Sequence, residues 1–113
     1  MFSRELSAAT AKPAILAILA QGENYGYGII AQVKDLSDGK VEWAEGALYP
    51  VLHRLERQKL IEATWRKTEA GRRRKYYRLR AKGKKVLALE KSQWSVASDL
   101  MNKLWGAPEP CLT

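Results

Sequence analysis

Apolar residues recur at steps of three and four over several stretches of the chain and alternate over two shorter ones. The clearest helical pattern lies between Glu45 and Ile61, EGALYPVLHRLERQKLI. There Leu48, Val51, Leu52 and Leu55 share one side and predict a face turned to a core. Gly46, Tyr49, Pro50, His53, Arg54 and Arg57 share the other side. That outer side combines aromatic, hydrogen-bonding and cationic groups, where an ordinary solvated face carries mostly Glu and Lys. The helix is expected to end near Gln58-Lys59.

Upstream, Met1 to Ala9 reads as a short helix or an arm, with Phe2 and Leu6 four apart. Thr10 is the expected N-cap of the next helix, with Pro13 in its first turn, where a missing N–H matters little. The run AILAILA then predicts a helix buried on most sides, stopping at Gln21-Gly22. Asn24 is the expected cap of a helix from Tyr25 to Leu36 that carries Tyr25, Ile29, Ile30, Val33 and Leu36 on one side. Gly26 and Gly28 in its first turns cost about 1 kcal/mol each relative to Ala, so they predict the close approach of another backbone or of a phosphate. Ser37-Asp38-Gly39 supplies turn chemistry, and Val41-Glu42-Trp43 predicts a very short strand.

Downstream, Leu60 to Trp65 and Lys75 to Leu79 are strand-like and flank the polar segment KTEAGRRR. Residues 62–79 therefore predict a β-hairpin whose tip holds Arg72, Arg73, Arg74 and Lys75. Four consecutive cations repel one another unless an anion neutralises them. Tyr76 and Tyr77 must point to opposite faces of the strand, one into the core and one out. Trp43 and Trp65 are expected to pack beside the sheet. A long helix follows from about Arg80 to Trp105, with one apolar stripe of Leu87, Trp94, Ala97, Met101 and Leu104. A second stripe contains Val86, Leu89, Val96 and Leu100. A helix of about 25 residues spans nearly 40 Å, which a domain of roughly 75 residues does not cover, so its distal half requires a second chain. The expected organisation is a binding domain over residues 1–79 with an N-terminal helical arm, a dimerisation helix over 80–105, and a disordered tail over 106–113.

Charge sharpens this picture. Between Arg54 and Lys91 there are fifteen Lys or Arg against four Glu, whereas the remaining residues carry five against eight acids. A basic segment, net +11, on a body of net −3 is the footprint of a polyanion binder. The hydrophobic fraction of 46% argues against intrinsic disorder. The chain has one cysteine, Cys111, so no intrachain disulfide and no thiolate metal cluster is expected. With one histidine, His53, a metal site is not expected either, and DNA contact or plain solvation is the reading for that residue. No nucleophile–base pair or paired carboxylates stand out, which argues against an enzyme. No apolar run is long enough to span a bilayer and the first residues lack a signal pattern, so a cytoplasmic protein without a cofactor is expected.

Three helices, a basic two-stranded hairpin and an exposed reading face predict a mainly α fold with a small β-hairpin wing (α+β), a winged helix-turn-helix with a long C-terminal helix. In that architecture the third helix enters the major groove of double-stranded DNA, and the wing follows the backbone or the minor groove. The expected DNA-binding residues are Gly46, Ala47, Tyr49, Pro50, His53 and Arg54 on the helix, with Arg72, Arg73, Arg74 and Lys75 on the wing. Tyr49 is either a phosphate-contacting hydroxyl or a half-buried spacer. The competing reading is a winged-helix module that binds DNA non-specifically or mediates protein contacts without a ligand.

The segments YGYGII (25–30), EGALYPVLHRLERQKLI (45–61) and GRRRKYYRL (71–79) together resemble the PadR-like transcriptional regulators, in the same order and spacing. The resemblance implies a homodimeric regulator, usually a repressor, bound to a pseudo-palindromic operator and dimerised through its last helix. The interface it implies contains Leu87, Trp94, Ala97, Met101 and Leu104. The short C-terminal region is similar to the compact multidrug-binding repressors, in which a tryptophan pair sandwiches a planar aromatic ligand. Trp94 matches that tryptophan, Ala97 and Met101 would line the slot, and Ser98 stands where an acidic residue can favour cations. The alternative for Trp94 is a buried interface anchor. The sequence departs from the family pattern at Ala44 and Ala47, where Ser and Thr are common, at Lys59 in place of Gly, and at Arg80 in place of a Thr cap.

Overall fold

A computed structural model describes residues 2–106. Helix α1 (Arg4–Ala20) is capped by Ser3, whose hydroxyl accepts from the Leu6 amide at 3.0 Å. The break expected at Thr10 does not occur. The Thr10 hydroxyl donates to the carbonyls of Leu6 and Ser7 at 2.9 and 3.2 Å, and a hydroxyl satisfied inside a helix has no need to end it. The expected arm and the following helix are therefore one element, and Pro13 lies mid-helix rather than in a first turn. Its missing N–H costs helix stability, which burial of Ile15, Leu16, Ile18 and Leu19 offsets at about 1.5–3 kcal/mol each.

Asn24 and Tyr25 form a two-residue strand, β1, and α2 (Gly26–Leu36) starts one residue later than expected. Asn24 does not cap the helix as its sequence position implied; its Oδ1 accepts from the Tyr25 amide at 2.8 Å. The strand expected at Val41–Trp43 is irregular backbone instead. Alternation alone does not make a strand, because the backbone groups need an open edge to pair with, and that edge is available at 24–25. Trp43 packs among the helices, lining clefts formed with α1, α2 and α3 rather than lying beside the sheet. Helix α3 (Glu45–Arg57) buries Leu48, Leu52 and Leu55 as its pattern predicts, with Val51 partly buried against the same core.

The end of α3 bears out the significance of Lys59. The amides of Lys59 and Leu60 bond back to the carbonyls of Glu56 and Leu55, both at 3.0 Å, which is the left-handed helix ending that favours Gly. Lys59 adopts it at φ 63°, and Asp38 does the same after α2 at φ 55°. A side chain in that region costs roughly 1–2 kcal/mol.

Strands β2 (Ile61–Lys67) and β3 (Arg73–Leu79) form the hairpin, and the antiparallel sheet has three strands in the order β1-β3-β2. Ile61, Ala63, Trp65 and Lys67 lie opposite Leu79, Tyr77, Lys75 and Arg73 on one face; Glu62, Thr64 and Arg66 lie opposite Arg78, Tyr76 and Arg74 on the other. The strands run farther out than expected, so Arg73 and Arg74 join Lys75 in β3 and, of the four cations, only Arg72 lies in the turn. Tyr77 is the core tyrosine and Tyr76 the outward one, in edge contact with Tyr25 at 5.5 Å.

Helix α1 sits at the centre, against α3, α4 and β3. Helix α4 (Ala81–Trp105) leaves the sheet at Gly83, where a Cβ would lie 2.2 Å from the Leu60 carbonyl oxygen. That oxygen already accepts from the Arg80 amide at 2.9 Å, so the absent side chain lets α4 dock on the α3–β2 junction. The result is an α+β winged helix-turn-helix with one long terminal helix. Among the described residues no helix is long and apolar enough to cross a membrane. Apart from Gly106, the expected tail lies outside the described residues.

Candidate nucleic-acid interface

A groove of about 500 Å³ opens between α3 and the wing. Tyr49 and His53 form the wall on α3, one helical turn apart on its outer side. Trp65, Arg73, Arg74 and Lys75 form the wall on the sheet, and Tyr25, Gly26 and Tyr27 close the end at the start of α2. Tyr49 is 37% exposed and crosses that end: a Cβ on Gly26 would sit 2.7 Å from its hydroxyl. Within the chain, the close neighbour of Gly26 is thus a side chain and not another backbone. Gly28 likewise faces the Asn24 side chain. The floor is Tyr77, 1% exposed, whose hydroxyl has no hydrogen-bond partner among the described residues. Burial pushes its phenol up to about 12, with smaller contributions from Glu56 and Tyr49.

The cations of the wing divide by function. Arg66 pairs with Glu23, Arg78 with Glu62, and Arg80 with Glu62 at 3.8 Å, so these hold the sheet together. Lys75 is paired with Glu56 of α3 at 3.5 Å and lies 5.4 Å from the Tyr77 ring centroid, linking wing to recognition helix. Arg74 lies 4.0 Å from the Tyr25 ring centroid, and a hydrogen bond to the Tyr76 hydroxyl raises its pKa. Among the described residues, Arg54, Arg57, Arg72, Arg73 and Arg74 have no carboxylate within ion-pair distance. A set of unneutralised guanidinium groups beside a groove is suited to phosphate oxygens.

The start of α3 is weakly capped. Ala44 occupies the N-cap position without a side-chain hydrogen bond. Glu45 in the first turn complements the helix dipole, and its carboxylate beside the Tyr27 hydroxyl raises the Tyr27 phenol above its ordinary value. Gly46, Pro50 and Arg54 lie on α3 but do not line the groove. Ala47 lines a separate cleft against Arg4, Ser7 and Ala8 of α1. Five of the residues singled out in the sequence, Tyr49, His53, Arg73, Arg74 and Lys75, therefore converge on one groove.

Sequence reasoning missed Tyr25, Tyr27 and Trp65 as members of this site. Trp65 was expected to pack beside the sheet, yet it is 54% exposed. Its alternation with Ala63 was the available signal, but alternation does not say where along a strand the core ends.

The distal half of α4 is a second exposed surface. Val96, Leu100 and Leu104 are exposed, Trp94 is 38% exposed, and Met101 is half-buried. Leu87, expected at an interface between subunits, is instead 6% exposed within the chain's own core. It lies on the half of α4 that α1 covers, where Lys12 of α1 pairs with Glu90 at 3.5 Å.

A winged helix with a cationic groove beside its third helix defines a class of nucleic-acid-binding protein. Comparisons narrow the class. The PadR-like family of transcriptional regulators matches residues 15–89, and the chain belongs to that family. A PadR-like transcriptional regulator of Bacillus cereus is 32% identical with a TM-score of 0.78, covering 91% of this chain and 98% of that one. A PadR family transcriptional regulator of Eggerthella lenta is 35% identical with a TM-score of 0.73, covering 91% and 88%. An uncharacterised protein of Lysinibacillus sphaericus is 30% identical over 88 residues, 78% of this chain and 81% of its own length.

Proposed function

We propose that the protein is a cytoplasmic, homodimeric repressor that binds a pseudo-palindromic operator in double-stranded DNA. The observation that carries this is the groove between α3 and the wing, where unpaired guanidinium groups meet aromatic and hydroxyl groups. In this reading Tyr49, Pro50, His53 and Arg54 face base edges and phosphates, Gly46 lets the helix approach, and Arg72, Arg73 and Arg74 hold the backbone. Residues 1–79 form the DNA-binding unit and residues 80–105 the dimerisation helix. The dimer buries Trp94, Ala97, Met101 and Leu104, an apolar set of the kind that marks a protein contact when exposed. A mobility shift on the promoter region of this protein's own gene against random DNA tests the proposal. Tighter binding to the promoter is expected. Equal affinity for both would leave a non-specific winged-helix binder, a reading favoured by the missing hydroxyls at Ala44 and Ala47.

Operator release by a small planar aromatic ligand completes the proposal. Two copies of Trp94 across a dimer axis would form a flat slot, with Ala97, Ser98 and Met101 beside it; offset stacking contributes roughly 0.5–1.5 kcal/mol per pair beyond area burial. A planar dye should quench the tryptophan fluorescence, and Trp94→Ala should abolish that quenching. Quenching retained in the variant would place the dye elsewhere.

A further inference from the structure

The inner face of the hairpin begins as core, with Ile61, Ala63 and Tyr77, and emerges from it at the next pair, Trp65 opposite Lys75. Trp65 is a large apolar side chain left 54% exposed beside the cationic side chains of the wing. Its ring is not loose: the Arg73 guanidinium lies 5.1 Å and the Lys75 ammonium 5.9 Å from its centroid. Cations at this range attract an indole face and fix its orientation. The ring lines the groove, with Tyr49 and His53 on the opposite wall.

A nucleic-acid strand presents phosphates and sugars in alternation, and protein contacts go to both. The guanidinium of Arg73 suits the phosphate. The exposed, oriented ring next to it suits the apolar face of the adjoining deoxyribose. We propose that Trp65 is a DNA-binding residue that packs on a backbone deoxyribose, in register with a phosphate held by Arg73. The inference rests on the DNA-binding reading above and adds a residue and a sugar contact to it. An apolar contact of this kind adds affinity without releasing counterions, which separates it from the arginines.

The test is binding of the full chain to a short mixed-sequence DNA duplex over a salt series. Trp65→Ala should weaken binding about tenfold, a conservative scale for an exposed large aromatic ring that becomes buried, with the salt slope unchanged. Trp65→Phe should stay near the parent, and Arg73→Ala should flatten the slope by about 0.9 for each phosphate it leaves unneutralised. Parent-like binding by Trp65→Ala overturns the contact and leaves the ring for a protein partner. A flattened slope in Trp65→Ala also overturns it, because the ring then serves only to place Arg73. Failure of the parent to bind either this duplex or the promoter region overturns the DNA-binding reading itself. Should Trp65→Ala fail to fold, Trp65→Phe decides by fluorescence: DNA-induced quenching must be present in the parent and lost in the variant, and quenching retained in full overturns the proposal.

Discussion

Helices α1 and α4 both carry apolar stripes, and these meet opposite fates. From Ala11 onward α1 carries apolar residues on most of its sides and is enclosed by α3, α4 and β3 of its own chain. α4 is enclosed only on the side that faces α1, through Val86, Leu87 and Glu90; Leu89 on its other side, and Val96, Leu100 and Leu104 farther along, face outward. The same kind of residue is core in one helix and surface in the other. Apolar periodicity states that a face gains free energy when covered. It does not state what covers it.

The contrast between the two helices is most vulnerable on α4. Leu104→Asp, a change within the proposed dimer face, should abolish self-association at micromolar concentration in sedimentation, since an unpaired buried charge costs about 3–5 kcal/mol. A dimer retained in that variant would show that the exposed face of α4 is not the interface. Leu16→Ala should cost about 2–5 kcal/mol in urea unfolding, because it opens a cavity in the enclosed helix. Comparable losses of folding stability from both variants would erase the distinction between the two helices.

Smaller effects belong to the enclosed half. Lys59→Gly should raise stability by about 1 kcal/mol by relieving the left-handed residue at the end of α3, with no change in self-association. Tyr77→Phe removes a buried hydroxyl that has no partner among the described residues and should leave neutral stability unchanged or raise it by up to about 1 kcal/mol. Its clearer signature is alkaline. The folded phenol titrates at about 12, whereas an unfolded tyrosine ionises near 10. The unfolded state therefore loses its proton first, and stability, unaffected by this group below about pH 10, falls as pH rises towards 12. Thermal unfolding across that range should show a shallower decline in Tyr77→Phe. An identical decline would assign the alkaline loss to other groups.

Much of the candidate site was legible because it sits on one regular element. Helical spacing placed Tyr49 and His53 together on the face opposite Leu48 and Leu52, and the structure keeps them there. The hairpin was legible as a hairpin, but its cations were not, because one more pair of residues in the ladder moves a side chain from the turn into a strand. Arg73 and Arg74 consequently fall on opposite faces, and Lys75 becomes an ion-pair partner of Glu56.

Sequence alone determined what depends on local chemistry: the apolar face of α3, the positive segment from Arg54 to Lys91, the strained position of Lys59 and the missing cap at Ala44. Three separated motifs were enough to identify the family. Tertiary structure decided everything that depends on a partner distant in the chain. It joined Thr10 into α1, moved the short strand to Asn24–Tyr25 where β3 offered an edge, enclosed Leu87 and left Trp65 exposed. The physical reason is that propensity and periodicity act over a few residues, whereas pairing and burial are settled by whichever surface arrives from elsewhere.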